Sequence, residues 1–266
     1  MSDWIWALII GFVLDLLLGD PAWLYHPVCL IGKYIGWMEK KLRRRGGNLR
    51  KSAVFLTAST VLLTMAVVAL ILMLCGLLGR IPLLIAMALL DWMGIAITSM
   101  AKEARGVEKA LGQGVAAGRT QVARIVGRDT QELSEEEIIK ATVETVSENT
   151  TDGVISPLLY AAIGGPILLW GFKAASTLDS MVGYLDEKYR DIGWSSARLD
   201  DVLNYIPARL TALLMVIASY LISLDGKNAF RIVRRDHANH KSPNCAWSES
   251  AAAGALHIQL GGTHNY

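Results

Sequence analysis

The sequence predicts an all-α fold: a polytopic membrane helical bundle of about four to five membrane segments, with a helical cytoplasmic region inserted near the middle. Three observations predict it. Of the 266 residues 53% are hydrophobic and the mean hydropathy is +0.37, too apolar for an ordinary soluble domain. The charged fraction of 19% exceeds what a bare set of spans would carry, so sizeable polar loops are expected. Apolar runs also recur at lengths near the roughly 20 residues a spanning helix needs.

Residues 4–18 are apolar apart from Asp15, slightly short for a span unless tilted or shared within a bundle. Gly19-Asp20-Pro21 ends that helix, because proline lacks a donor N–H and disfavours helix in the residue before it. His26-Pro27-Val28 and Gly32-Lys33 follow in a loop and a short interfacial helix, with Trp23, Tyr25, Tyr34 and Trp37 as interface aromatics. Residues 40–51 are the densest basic run. The positive-inside rule puts them in the cytoplasm and the N-terminus outside; docking of an anionic substrate or lipid headgroup is the sharper alternative. The start of the chain lacks a basic leader and an A-x-A cleavage pattern, so it is read as a mature membrane segment.

Residues 53–78 form the cleanest span, and only Gly79-Arg80 separates them from 81–100, which predicts a tight helical hairpin. Asp15 and Asp91 are ionisable groups inside spans. That suggests function by default, with a hydrogen-bonded interhelical pair as the bland alternative. The cytoplasmic helical insertion then covers about 101–153. Gly112, Gly114 and Gly118 mark a break in it, and Ser134-Glu135-Glu136-Glu137 reads as a capping box. Lys140, Glu144, Glu148 and Asp152 follow at four-residue steps, so one helix face carries a row of charge.

That row ends in Ser147-Glu148-Asn149-Thr150-Thr151-Asp152-Gly153, directly before the apolar run 154–172. Spanning a bilayer requires no such cluster, and unpaired polar groups there cost several kcal/mol, so chemistry is expected at this knot. Pro157 and Gly164-Gly165-Pro166 weaken 154–172 as a straight span. If the knot and the polar segment after Phe172 share one site, the run is broken or re-entrant. Residues 203–224 are the last clear span, Arg231, Arg234 and Arg235 fit a cytoplasmic tail, and 251–260 resemble a packed helix. His237 and His240 are three apart, weak evidence for a metal. With no internal repeat or linker, a single integrated membrane domain over 1–266 is expected, multi-pass in the cell membrane with its site facing the cytoplasm.

Several chemistries are excluded. A net charge of +2 implies no nucleic-acid partner. Cys29, Cys75 and Cys245 show no C-x-x-C spacing and read as free thiols. No G-x-x-x-x-G-K-[ST] or G-x-S-x-G occurs, and Gly112-x-Gly114 lacks a preceding strand. What remains is rich in carboxylates. Asp200 or Asp201 shares a helix face with Asn204, and Glu148, Asn149 and Asp152 are candidates to face them. Such oxygen ligands suit magnesium bound with substrate phosphates, while Lys173, Arg198 and Arg209 are suited to phosphate charge. On this pattern phosphoryl or nucleotide chemistry and a transporter with a charged ion path both stay open.

Motifs along almost the whole chain narrow the choice. They are Gly19-Asp20-Pro21 with His26-Pro27-Val28 and Gly32; Gly127-Arg128-Asp129-Thr130; and Glu144 with Glu148-Asn149-Thr150-x-Asp152-Gly153-x-x-x-Pro157. Then come Lys173-Ala174, Thr177-Leu178-Asp179-Ser180-Met181-x-Gly183-Tyr184, Ala197-Arg198-Leu199-Asp200-Asp201 with Asn204, and Pro207-Ala208-Arg209-Leu210. Ser242-Pro243-Asn244 and Leu260-Gly261-Gly262 with Tyr266 close the series. In these the chain resembles the integral-membrane adenosylcobinamide-phosphate synthases of cobalamin biosynthesis, the CobD/CbiB family.

The resemblance implies an ATP- and magnesium-dependent amide ligase that joins adenosylcobyric acid to aminopropanol phosphate or a related amino alcohol. Under it Asp152, Asp179, Asp200 and Asp201 hold Mg2+; Lys173, Arg198 and Arg209 bind phosphates; and Glu148 takes the amine's proton. Glu148, Asp152, Lys173 and Arg198 form the catalytic set. His26, Arg128, Glu144, Asn149, Thr177, Ser180, Asn204 and Arg209 bind substrate or nucleotide, with a structural hydrogen bond as the alternative for His26 and an Arg128–Asp129 salt bridge for Arg128. The implied partners are the corrinoid, the amino-alcohol phosphate, membrane lipids, and a second copy or other corrinoid-pathway membrane enzymes. Two departures stand out: family members usually continue well past the Gly-Gly-x-x-x-Tyr motif, and Ser176 stands where asparagine is expected. A related membrane sensor without ligase activity and a secondary transporter are the rival readings.

Overall fold

The computed structural model describes residues 3–21 and 23–261; Gly262 and Tyr266 of the closing motif lie outside them. The described chain is helical throughout, and it divides into two compact units. The first comprises Met1–Ala96 and Ser156–Asn204, the second Ile97–Ile155 and Tyr205–Tyr266. The expected insertion at 101–153 falls within the second.

The first unit contains α1 (Asp3–Leu18), α2 (Pro27–Arg45), α3 (Leu49–Leu77) and α4 (Arg80–Gly94). Local chemistry sets their ends. His26 caps α2, its Nδ1 accepting the Val28 N–H at 3.2 Å, with Pro27 in the first turn where its missing donor costs nothing. Asn48 caps α3 by accepting from the N–H groups of Arg50 and Lys51. Gly79, at φ 120°, makes the predicted hairpin turn between α3 and α4.

The second unit begins with α5 (Ile97–Leu111) and α6 (Val115–Val122), separated at Gly112 and Gly114 as expected, followed by α7 (Glu135–Thr150). Ser134 and Glu137 form the full capping box at the start of α7. A single π-helical turn, Thr151–Ile155, continues α7 through the polar knot. Such turns concentrate at functional positions because they re-aim side chains within a helix.

The chain then re-enters the first unit as α8 (Ser156–Val182) and α9 (Trp194–Leu203). The predicted weakness of the run is a kink at Gly164 and Gly165, where the backbone leaves helical geometry and Gly165 has φ 64°. Around it α1 packs on α4, α3 on α8, and α2 on both α3 and α8. Their shared core includes Ile35, Leu56, Leu169, Trp170 and Leu178, all essentially inaccessible. The indole N–H groups of Trp170 and Trp92 donate to Leu90 O and Gly19 O, each at 3.0 Å, so the large rings leave no buried donor unmet.

The second unit ends with α10 (Tyr205–Leu221), α11 (Gly226–Asp236) and α12 (Cys245–Leu256). Val107, Val122, Leu133 and Ile138 form one small core, and Ala212, Val216, Ala229, Val233 and Ala251 another. Gly254 brings α11 and α12 close: a Cβ there would lie 2.7 Å from the Ala229 Cα.

Three helical stretches, Leu49–Leu77, Arg80–Leu111 and Glu135–Val182, are long and apolar enough to cross a membrane, and a fourth if α9 and α10 count together. Exposed Leu62, Leu63, Leu70 and Met73 on α3 fit a lipid-facing surface. Asp15 and Asp91, on facing helices α1 and α4, are fully buried in protein, and among the described residues neither Asp91 oxygen has a hydrogen-bond partner.

The closeness of α1 to α4 depends on Gly11. A Cβ there would stand 2.8 Å from both the Asp91 Cβ and the Trp92 N. Gly11→Ala is therefore expected to destabilise the first unit by about 1–3 kcal/mol through overpacking, read as earlier thermal unfolding in detergent. An unchanged transition would contradict that packing.

Candidate functional site

In the first unit most candidate residues lie on the last turns of α8 and along α9, two helices that pack together, while His26 caps α2. Gly183 and Gly193 make this possible. A Cβ on Gly193 would collide with the Val182 carbonyl oxygen and one on Gly183 with the Asp179 carboxylate, so only glycine lets α9 pack against the last turn of α8. The connecting loop is held from the basic run: Arg43 donates to Lys188 O at 2.7 Å, and Arg50 pairs with Asp191 at 3.1 Å. At least two cations of the 40–51 run thus have a structural role.

Lys173, Thr177 and Ser180 occupy the last turns of α8, with Thr177 Oγ1 donating to Lys173 O at 2.6 Å and Ser180 Oγ to Ser176 O at 2.9 Å. Asp179 is half-buried; Arg198, on α9, is exposed and acts electrostatically on Asp201. Asp200 and Asn204 share a face as predicted, Asn204 Nδ2 donating to Asp200 Oδ2 at 3.0 Å. The buried Ser156 hydroxyl donates to Asn204 Oδ1 at 2.7 Å, and Tyr160, stacked on Phe172, donates to Leu203 O at 2.9 Å. This network, to which sequence spacing gave no lead beyond the Asp200–Asn204 step, fixes the amide and thereby orients Asp200.

His26 has both ring nitrogens engaged: Nδ1 accepts from Val28, so Nε2 carries the proton shared with Met93 O at 2.8 Å. Burial is the main force lowering its pKa, opposed by Asp20 and the Met93 carbonyl and assisted by Lys173. A neutral imidazole pinning α2 to the end of α4 is the outcome.

The second unit holds Arg128, Glu144, Glu148, Asn149, Asp152 and Arg209. The charged row on α7 is only partly a solvated salt-bridge face. Lys140 pairs with Glu136 at 2.7 Å on the outside, but Glu144 pairs with Arg128 at 2.9 Å with both side chains largely buried. The Arg128–Asp129 salt bridge, the alternative to substrate binding by Arg128, does not form: Asp129 Oδ1 instead accepts the Gln131 N–H, and Arg128 reaches inward. Glu144 Oε1 also accepts the Gly261 N–H at 2.7 Å, and Glu148 Oε1 accepts the Cys245 thiol at 3.2 Å. Burial, then the Glu148 charge, pushes that thiol's pKa strongly up, so Cys245 serves as a donor and not as a thiolate. Asn149 is exposed at the end of the row.

Arg209 is more constrained than its sequence role suggests. Its guanidinium lies 3.6 Å from the Tyr205 ring centroid and 4.7 Å from that of Trp247, and donates to Tyr205 O and Asn244 Oδ1. Glu249 on α12 is the residue that sequence reasoning missed. Burial, followed by the charges of Glu148 and Glu144, pushes it up to about 7. Its one signal is that it is the lone charge in the small-residue helix Cys245–Leu256.

Among the described residues no three His, Cys, Asp or Glu side chains converge as a metal site. Magnesium typically takes one or two carboxylates and completes its shell with water and substrate phosphate, so Asp200, oriented by Asn204, and Asp201 fit it as a shared ion more than as a caged one.

A family model described as CobD/Cbib protein matches residues 8–266. The cobalamin biosynthesis protein CobD of Pelobacter propionicus is 51% identical over 261 residues, 98% of this chain and 81% of that protein. The protein of the same name from Listeria monocytogenes serovar 1/2a is 50% identical over 259 residues, 96% of this chain and 82% of the relative. The cobalamin biosynthesis protein CbiB of Salmonella arizonae is 44% identical over 261 residues, covering 97% and 82%. No solved structure matches the chain.

The Arg128–Glu144 pair gives a direct test of this geometry. Removing one partner of a buried pair strands the other charge, here beside Glu148 and Glu249, so Arg128→Met is expected to cost about 3–5 kcal/mol. Adding Glu144→Gln should recover much of that in denaturant unfolding of the detergent-purified chain. Additive losses would show that the two side chains are not coupled.

Proposed function

Since the chain belongs to the CobD/CbiB family, and so to the proteins of cobalamin biosynthesis, we propose that it is an ATP- and magnesium-dependent amide ligase. It joins the free carboxylate of adenosylcobyric acid to the amine of aminopropanol phosphate or a close amino-alcohol relative, giving adenosylcobinamide phosphate. The observation that carries this reading is the family match over residues 8–266.

A carboxylate is unreactive toward amines because its oxygen is a poor leaving group, and phosphorylation removes that obstacle. The γ-phosphoryl group of ATP passes to the corrinoid carboxylate, releasing ADP; the amine then attacks the acyl carbon and inorganic phosphate leaves. Lys173 and Arg198 bind the phosphates and offset the charge that develops during transfer, with Arg209 assisting in the second unit. Asp179, Asp200 and Asp201 of the first unit, and Asp152 of the second, are the carboxylates assigned to magnesium, which would supply charge neutralisation on the phosphate oxygens. Thr177, Ser180 and Asn149 contribute hydrogen bonds to substrate or nucleotide. The acidic group around Glu148 receives the amine's proton.

The hairpin and exposed apolar faces support a multi-pass protein of the cell membrane, and the basic run supports a cytoplasm-facing site. A second copy and other corrinoid-pathway membrane enzymes are the proposed neighbours.

The purified full chain in detergent, supplied with adenosylcobyric acid, aminopropanol phosphate, ATP and magnesium, is expected to form the amide, detected by mass spectrometry with stoichiometric ADP. Asp152→Ala and Asp200→Ala should each lower the rate about a hundredfold or more while leaving the helical content intact. A folded, substrate-saturated wild type that forms no amide refutes the reading.

A further inference from the structure

The second unit contains a cavity of about 590 Å³, within the range of small-molecule sites, that the residue assignments above leave unused. Arg231 and Arg235 of α11 line it on one side and Glu249 of α12 on the other, and the segment from His257 to Gly261 forms part of its rim. That rim is tied down, because the Gly261 N–H donates to Glu144 at 2.7 Å.

Asp236 lines the cavity beside its partner Arg235; Glu249 lines the other wall, with Glu144 and Glu148 acting on it from α7, and the partners of these three differ. Glu144 has Arg128 and the Gly261 N–H, and Glu148 has the Cys245 thiol. Among the described residues Glu249 makes no hydrogen bond or ion pair. The charges that act on it are negative ones, Glu148 and Glu144 on α7. Both cations face the cavity from α11, where Arg235 is also held by Asp236 and Arg231 donates to Asn228. His240 and His257 contribute titratable groups from the flanking loops, His257 pairing with Asp225 at 3.0 Å.

A cavity with cations on one wall and an unneutralised carboxylate on another complements a small zwitterion. A nucleotide triphosphate, negative along its length, would meet repulsion at Glu249. We propose that this cavity takes the amino-alcohol phosphate, seating its phosphate on Arg231 and Arg235 and its ammonium on Glu249, which accepts the proton the amine must lose before it attacks. The proposal rests on the ligase reading and gives that reading's nucleophile a place and a base.

The ammonium carries three protons: one passes to Glu249, one leaves with inorganic phosphate, and one stays on the amide nitrogen. The C–N bond forms from the freed lone pair as the acyl C–O bond to phosphate breaks. Glu249, pushed up to about 7, is suited to accept a proton and release it again near neutral pH. Within the acidic group around Glu148 the base is thus Glu249 in place of Glu148 itself; Glu144 and Glu148 act as positioning residues, since their charge raises its basicity.

The test uses the full chain in detergent with aminopropanol phosphate as the probe. Arg231→Gln should raise KM for aminopropanol phosphate about tenfold or more and leave KM for ATP and adenosylcobyric acid unchanged. Glu249→Gln should lower kcat about a hundredfold or more and abolish the rise in rate with pH through about 7, with Glu249→Asp restoring part of both. Thermal unfolding checks that each variant is folded; losing a like charge beside Glu148 should not weaken Glu249→Gln.

Unchanged KM values in Arg231→Gln, or an unaltered pH profile in Glu249→Gln, would overturn the proposal. Calorimetric binding of aminopropanol phosphate separates it from the ligase reading. If the wild type makes no amide but binds the probe, and Arg231→Gln does not, the cavity assignment stands while the reaction falls. Equal affinity for inorganic phosphate and aminopropanol phosphate would remove the ammonium subsite and overturn the assignment.

Discussion

A polar group taken out of water must find a partner, and in a chain this apolar that constraint decides where function can sit. Each unit meets it in its own way, with the buried Asp91 carboxyl of the first as an exception. The first uses short hydrogen-bond relays: Ser156 to Asn204 to Asp200, His26 between Val28 and Met93, and Trp170 to Leu90. The second uses charge, with Arg128 set against Glu144 under a row of carboxylates that one cation cannot neutralise. Burial, followed by the charges of Glu148 and Glu144, pushes Glu249 up to about 7.

Glycine provides the steric counterpart of that constraint. Helices that must bring polar groups together need close backbones, and Gly193 against Val182, Gly11 against Asp91 and Gly254 against Ala229 supply them. A methyl group at any of these positions would separate elements whose side chains carry the chemistry or the buried carboxyls. The kink at Gly164 and Gly165 follows the same logic within α8, where proline and positive φ interrupt the helix.

Much of this was legible in the residues. The hairpin at Gly79, the break at Gly112 and Gly114, the capping box at Ser134 and the weakness of the run after Ile155 all follow from local chemistry, which acts over a few positions. Sequence neighbours misled where partners lie far apart in the chain. Adjacent Asp129 is the salt-bridge partner that spacing offers Arg128 as an alternative to substrate, whereas its partner is Glu144, sixteen positions on, because only the folded unit brings α7 beneath that loop. Glu249 left almost no trace, since a single glutamate in an alanine-rich helix looks like a solvated position until α7 packs against it. Arg209 looked like a phosphate ligand by charge, and its stacking between Tyr205 and Trp247 could not be read from spacing.

In the proposed reaction ATP activates the corrinoid carboxylate before the amine enters. Positional isotope exchange addresses it most directly: ATP labelled with ¹⁸O in the β,γ-bridge is incubated with the purified chain, magnesium and adenosylcobyric acid, without any amine. Reversible transfer to the carboxylate predicts scrambling of bridge label into the β-nonbridging positions, dependent on the corrinoid acid. No scrambling, under conditions where adding aminopropanol phosphate yields amide, would contradict a free acyl phosphate and the order of steps built on it.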